Sequence, residues 1–156
     1  MYPSIPESRV PIPYCPFIID EPETVHRILS LTTDLCIMYA KEQENAGSDV
    51  IQIGEAACSG DLISGDDYGR YIAPCHKKLC AEIKIPTVVH ICGNITSHLT
   101  HIKNTGMSGI SMDIKTDIEQ AVALLKGNTA IIGYVPVSQC QLKNYGVQRG
   151  NEEKGK

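Results

Sequence analysis

The sequence predicts an α/β chain of about four parallel β/α units, and three observations carry that prediction. Four short runs rich in Ile, Val and Thr recur along the 156 residues. Between them lie segments whose apolar residues return at helical spacing. Gly, Pro, Asn and Asp punctuate the joints, where the chain must turn. Such alternation calls for right-handed crossovers and a sheet covered on both faces. Four units cannot close an eight-stranded barrel of about 250 residues. Periodicity therefore leaves two architectures open, an open α/β sheet and part of a barrel. In either one, chemistry gathers at the C-terminal strand ends.

Residues 1–20 hold five of the nine prolines. Proline removes a backbone donor and fixes φ, so this stretch is expected to be an irregular lead-in. From Asp20 the signals change: Pro22 between Glu21 and Glu23 suits a helical first turn, and Val25, Ile28, Leu29, Leu31, Leu35, Ile37 and Met38 come after it at helical spacing. That helix should close near Gly47. Asp49 to Gly54 then reads as a strand. A polar, Gly-rich loop from Glu55 to Gly65 leads to a helix over Asp66 to Lys84. The next strand is Pro86 to Ile91, followed by a helix over Thr96 to Thr105, a strand over Gly109 to Met112, a helix over Asp117 to Lys126 and a strand over Ala130 to Tyr134. Periodicity fades after that. The expected organisation is a lead-in (1–20), a β/α domain (21–140) and a frayed tail (141–156).

Composition excludes several classes of function. With 14 basic and 18 acidic residues the formal charge is −4, and no basic stripe suits a phosphate backbone, so nucleic acid is not an expected partner. No apolar run reaches the roughly 20 residues of a membrane span, and the first residues lack a signal-peptide core, which makes cytoplasm the expected location. The seven cysteines are odd in number and scattered, so reduced thiols are expected rather than a disulfide framework. Cys75 and Cys80 miss the spacing of a redox or zinc knuckle. No phosphate-binding Gly loop succeeds a strand.

The candidate site is the strand end His90-Ile91-Cys92-Gly93-Asn94. Residues i and i+2 of a strand face one side, so the imidazole and the thiol can converge on one ion, both being natural zinc ligands. Gly93 permits a sharp turn and Asn94 can cap the next helix. A lone His-x-Cys is as readily a packed cysteine beside a hydrogen-bonded histidine, and a third ligand decides between the two. Oxygen donors stand at neighbouring strand ends: Asp113 after the third strand and Glu55 after the first. His98 and His101 are near in sequence, but His98 falls on a buried helical face. Asp61 either contacts a ligand from the rim or organises its own loop.

The segments Asp49 to Gly54, Ser59 to Ser64, Pro86 to Asn94 and Gly106 to Ser111 resemble successive segments of the methylcobamide:coenzyme M methyltransferases, a branch of the uroporphyrinogen decarboxylase superfamily of TIM barrels. The likeness runs from about Glu21 to Val135, and the His-x-Cys-Gly-Asn block distinguishes this branch. It implies a partial TIM (β/α)8 barrel, and a zinc site in which His90 and Cys92 match two family ligands and Asp113 an acidic position. Glu55, Asp61 and Asn94 are then substrate-side candidates. The implied reaction moves a methyl group from a methylated corrinoid, carried on a partner protein, to a small thiol such as coenzyme M; a thiol on zinc is deprotonated near neutral pH. The family's third ligand is a cysteine beyond the last strand, and whether Cys140 replaces it is left open. Glu55-Ala56 stands where the family has Asp-Pro. The resemblance thus implies either a truncated or degenerate form with a weakened zinc site, or a barrel completed by a second copy or by an N-terminal half-barrel partner. Porphyrinogen decarboxylation and a non-catalytic corrinoid- or metal-binding module are the competing functions.

Overall fold

The computed structural model describes residue 18 and residues 20–135. Cys140, the tail from 141 and nearly all of the lead-in lie outside them. Helix α1 (Pro22–Asn45) opens with proline in its first turn and closes at Ala46 ahead of Gly47, whose φ of 94° takes the left-handed conformation that suits glycine after a helix. Strand β1 (Ile51–Gly54) comes next. Helix α2 (Gly65–Asp67) begins at Ser64, whose hydroxyl accepts the Asp67 N–H. It runs through a π turn (Tyr68–Ile72) into α3 (Ala73–Glu82), so Pro74 lies in a first turn rather than mid-helix. After β2 (Thr87–Ile91) comes a 3₁₀ turn (Thr96–His98) joined to the short α4 (Leu99–Ile102). Strand β3 (Gly109–Met112), helix α5 (Ile118–Leu125), capped by the Asp117 carboxylate, and β4 (Ala130–Gly133) complete the described chain.

All three strand pairings are parallel and the strand order is β1-β2-β3-β4. Burial follows the strand period of two. Ile51, Val89, Ile91, Ile110 and Met112 are buried, and Ile53 and Ile131 pack with them. Their alternates Gln52, Val88, His90, Ser111 and Ile132 are exposed or half-buried. The helices therefore cover one face only. This corrects the expectation of a sheet covered on both faces: strands that succeed one another in sequence order, with every crossover on one side, make a segment of a barrel wall. The second face is the lumenal face of that wall.

The core lies between the wall and the helices. Tyr68, Ile91, Ile95, Leu99, Ile102 and Leu125 are fully buried there. A second cluster joins Ile37 and Ala40 of α1 to Ile51, Leu79 and Ile83. Full burial of each large apolar side chain contributes roughly 1.5–3 kcal/mol. Cys36, Cys58, Cys75, Cys80 and Cys92 are free thiols. Among the described residues no helix is long and apolar enough to cross a membrane.

Candidate functional site at the strand ends

The loops after β1, β2 and β3 are tied to one another at the C-terminal edge of the wall. Gly60 N–H donates to the Asn94 carbonyl at 2.9 Å, and Glu55 N–H donates to the His90 carbonyl at 2.8 Å. Thr116 bridges two loops: its hydroxyl accepts the Ile95 N–H at 3.2 Å and donates to the Gly93 carbonyl at 3.3 Å. Gly93 takes a φ of 76°, and a Cβ there would crowd Ser59 Oγ and lie 2.6 Å from Asp61 Oδ2. The sharp turn after Cys92 thus needs glycine for its backbone conformation and for space.

His90 and Cys92 come together as their parity predicts. His90 Nε2 lies 3.2 Å from Cys92 Sγ, and His90 Nδ1 lies 3.0 Å from the hydroxyl of Ser111. The pair fits two corners of a tetrahedral ion. Zinc bonds of about 2.0–2.1 Å to nitrogen and about 2.3 Å to sulfur set such donors about 3.5 Å apart. A few tenths of an ångström separate that from the distance found, which a side-chain rotation supplies.

The other candidates have partners of their own. The Asp113 carboxylate accepts from Ile114 N–H at 2.7 Å and from Gly93 N–H at 3.4 Å, which places it beside the His90-Cys92 turn. Asp61 Oδ2 pairs with Lys115 Nζ at 3.2 Å across two loops. The Asn94 side chain accepts the Thr96 N–H at 3.0 Å and so starts the turn into α4. Among the described residues no three His, Cys, Asp or Glu side chains group around one point. His98 is fully buried, with its ring nitrogens on Ser97 Oγ and the Cys58 carbonyl, as its place on an inward face implied.

Glu55 turns its side chain into a buried network that periodicity did not reveal. Its Oε1 lies 3.4 Å from His76 Nε2, its Oε2 accepts the Cys58 thiol at 3.3 Å, and His76 Nδ1 meets the Tyr68 hydroxyl at 2.9 Å. The Tyr68 ring stacks on His98, with centroids 4.5 Å apart and planes 16° from parallel. Burial pulls the Glu55 carboxyl pKa upward, but the hydrogen bond and charge of His76, with the Cys58 thiol, outweigh it and hold the group below its ordinary value. Burial also drives the Cys58 thiol and the Tyr68 hydroxyl far upward, so both stay protonated. Ser111, Thr116, His76 and Tyr68 were missed in the sequence because each acts through a long-range partner. Only the β2/β3 register, which sets Ser111 opposite His90, would have exposed the first of them.

Residues 8–139 match the family described as Uroporphyrinogen decarboxylase (URO-D). The chain is 38% identical over 114 residues to the methylcobamide:CoM methyltransferase MtbA of Methanosarcina acetivorans, a match covering 71% of this chain and 33% of that protein. It is 30% identical over 119 residues to the uroporphyrinogen decarboxylase of Myxococcus xanthus, covering 74% and 33%. A solved methyltransferase from Methanosarcina mazei superposes with a TM-score of 0.74 at 24% identity, over 83% of this chain and 42% of that one. The chain therefore spans about a third of the length of these curated relatives.

Proposed function

The chain belongs to the uroporphyrinogen decarboxylase family, and from that premise we propose that it supplies the strand-end half of a zinc-dependent methyl-transfer site. The donor is a methylated corrinoid carried on a partner protein, and the acceptor is a small thiol of the coenzyme M type. The observation that carries this reading is the convergence of His90 Nε2 and Cys92 Sγ at 3.2 Å on the lumenal face, at the C-terminal mouth of the wall. Two methylcobamide:CoM methyltransferases from Methanosarcina species are at least 36% identical to the chain over the matched residues.

A zinc ion bound to that pair would supply Lewis acidity, keeping a thiol deprotonated near neutral pH. The remaining work falls to this chain's own residues. His90 at the end of β2 and Cys92 just after it would offer a nitrogen and a sulfur from the same side of the chain, close enough for side-chain rotation to set their separation. Asp113, held by the Gly93 and Ile114 amides beside the same turn, does not group with the pair as it stands and is proposed to reorient to supply a third donor, an oxygen. Asp61 and Asn94 belong to the loops of the same rim and are proposed to meet the substrate side, whereas the Glu55 carboxylate is held on the helical side by His76 and Cys58 and is withdrawn from that role. Further barrel strands, of the same polypeptide, of a partner or of a second copy, would close the lumen. Val88 and Ile132 on the uncovered sheet face, and the exposed Ile28, Leu31, Leu35 and Met38 on α1, support such a partner.

Decarboxylation of a porphyrinogen would call for arginines at the mouth. Among the described residues Arg27 lies on α1 and Arg70 packs over the Tyr71 ring in the π turn, both on the helical layer. Zinc titration with elemental analysis tests the methyltransferase reading. Wild type should retain up to one zinc per chain, and Cys92→Ser should lose it on dialysis. Equal zinc in both, or zinc in neither, would remove the basis for the site.

A further inference from the structure

We infer that Ser111 is a positioning residue: its hydroxyl accepts the His90 Nδ1–H and so fixes the imidazole tautomer whose Nε2 lone pair faces Cys92. This rests on the zinc reading above for its purpose, but not for its geometry.

The strand register produces the contact. His90 and Ser111 are direct partners in the β2/β3 ladder, so both side chains rise from the lumenal face side by side. Their polar atoms meet at 3.0 Å. The serine hydroxyl has no other partner among the described residues, and its own neighbour across the next ladder is Ile132, which offers no hydrogen bond. Val88 and Ala130 continue the same face. A lone hydroxyl in a mainly apolar row thus has one polar group to serve.

The far side of the ring explains why that service matters. Cys92 Sγ stands 3.2 Å from Nε2. A thiol proton can be donated there only to an Nε2 that carries a lone pair, and a metal ion would use the same lone pair. With the proton on Nε2 instead, it would occupy the space between nitrogen and sulfur. Free neutral histidine prefers to carry its proton on Nε2, so the useful tautomer needs an acceptor at Nδ1. Ligating histidines are generally held in this way by a group behind the ring, and removal of that group weakens metal affinity about 10- to 100-fold.

Two readouts test the inference. Long-range ¹H–¹⁵N spectra of the zinc-free protein at about pH 8, above the ordinary histidine range, report which ring nitrogen is protonated; His90→Gln assigns the signal. Wild type should show Nδ1–H, Ser111→Ala should move toward Nε2–H, and Ser111→Thr, which keeps the hydroxyl, should restore Nδ1–H. Zinc competition against a chromogenic chelator should weaken about 10- to 100-fold in Ser111→Ala and recover in Ser111→Thr. An unchanged tautomer in Ser111→Ala overturns the inference, even if zinc binds. A wild type that binds no zinc but shows the tautomer exchange overturns the zinc reading and leaves the positioning role standing.

Discussion

Substituting Tyr68 by phenylalanine removes one oxygen from the middle of the buried network and leaves the ring in place. Tyr68 is fully buried and His76 is 3% exposed, so no water replaces the lost hydroxyl without rearrangement. The stack on His98 keeps its shape, because the ring is unchanged, and no cavity larger than an oxygen forms. The loss is then the 2.9 Å bond to His76 Nδ1 together with the desolvation of the nitrogen left behind. A net hydrogen bond is worth about 0.5–1.5 kcal/mol, and a stranded buried partner costs about 1–3 kcal/mol. Tyr68→Phe should therefore lower stability by about 1–3 kcal/mol, a Tm decrease of several degrees for a chain of this size. His76→Leu should cost more, since it strands both the phenol and the Glu55 carboxylate. The double variant should cost less than the sum of the two by at least about 0.5 kcal/mol, because the two groups meet. Urea unfolding followed by circular dichroism, with unchanged m, measures each quantity. A Tyr68→Phe midpoint equal to wild type, or strict additivity in the double variant, would refute the network as described.

Two further outcomes derive from the same geometry. Gly93→Ala forces a side chain into a backbone with φ of 76° and into the space of Ser59 and Asp61; left-handed strain alone costs about 1–2 kcal/mol, and thermal unfolding that matches wild type would show that the turn relaxes freely. Stability should also fall on acidification, because burial, only partly offset by the Cys58 carbonyl, lowers the pKa of His98. The unfolded chain then binds the extra proton, so this contribution is complete above the ordinary histidine value of about 6.5 and declines as pH drops through it toward the folded value. Urea midpoints at about pH 8 and pH 5.5 measure the slope, which His98→Gln should flatten; an identical slope in that variant would assign the loss to other groups.

The strands were legible because their residues are β-branched and their joints are glycine or proline; β3 falls at the bounds its composition implied. Helix α1 was legible from its first-turn proline and from Gly47. The stretch after Ser64 was less so. Its apolar spacing suits one helix, but the backbone makes a π turn at Tyr68–Ile72. That turn coincides with Tyr68 and Tyr71, both buried, against partners that spacing alone does not reveal. At the site, the meeting of His90 and Cys92 was implied by parity within one strand. Ser111 and Thr116 depended on which residues of β3 and its loop stand opposite β2, and register across a crossover is set by packing, not by local sequence.

The same distinction explains why periodicity alone could not choose between an open sheet and a barrel wall. The run Thr87-Val88-Val89-His90-Ile91 is apolar on both parities apart from Thr87 and His90. That pattern ordinarily marks a strand with helices on both faces. In a barrel wall the second face looks into the lumen, where apolar side chains are also tolerated, so the two architectures share one pattern. What separates them is where polar atoms sit on the second face. A doubly wound sheet would bury His90, Ser111 and Gln52 under helices, each needing a partner. Here Gln52 is exposed, and the hydrogen-bonded polar groups on that face include Ser111, His90 and Cys92, close to the strand ends. The one-sided wall thus leaves His90 and Cys92 facing an uncovered mouth, where a histidine and a thiol remain accessible to a ligand from outside.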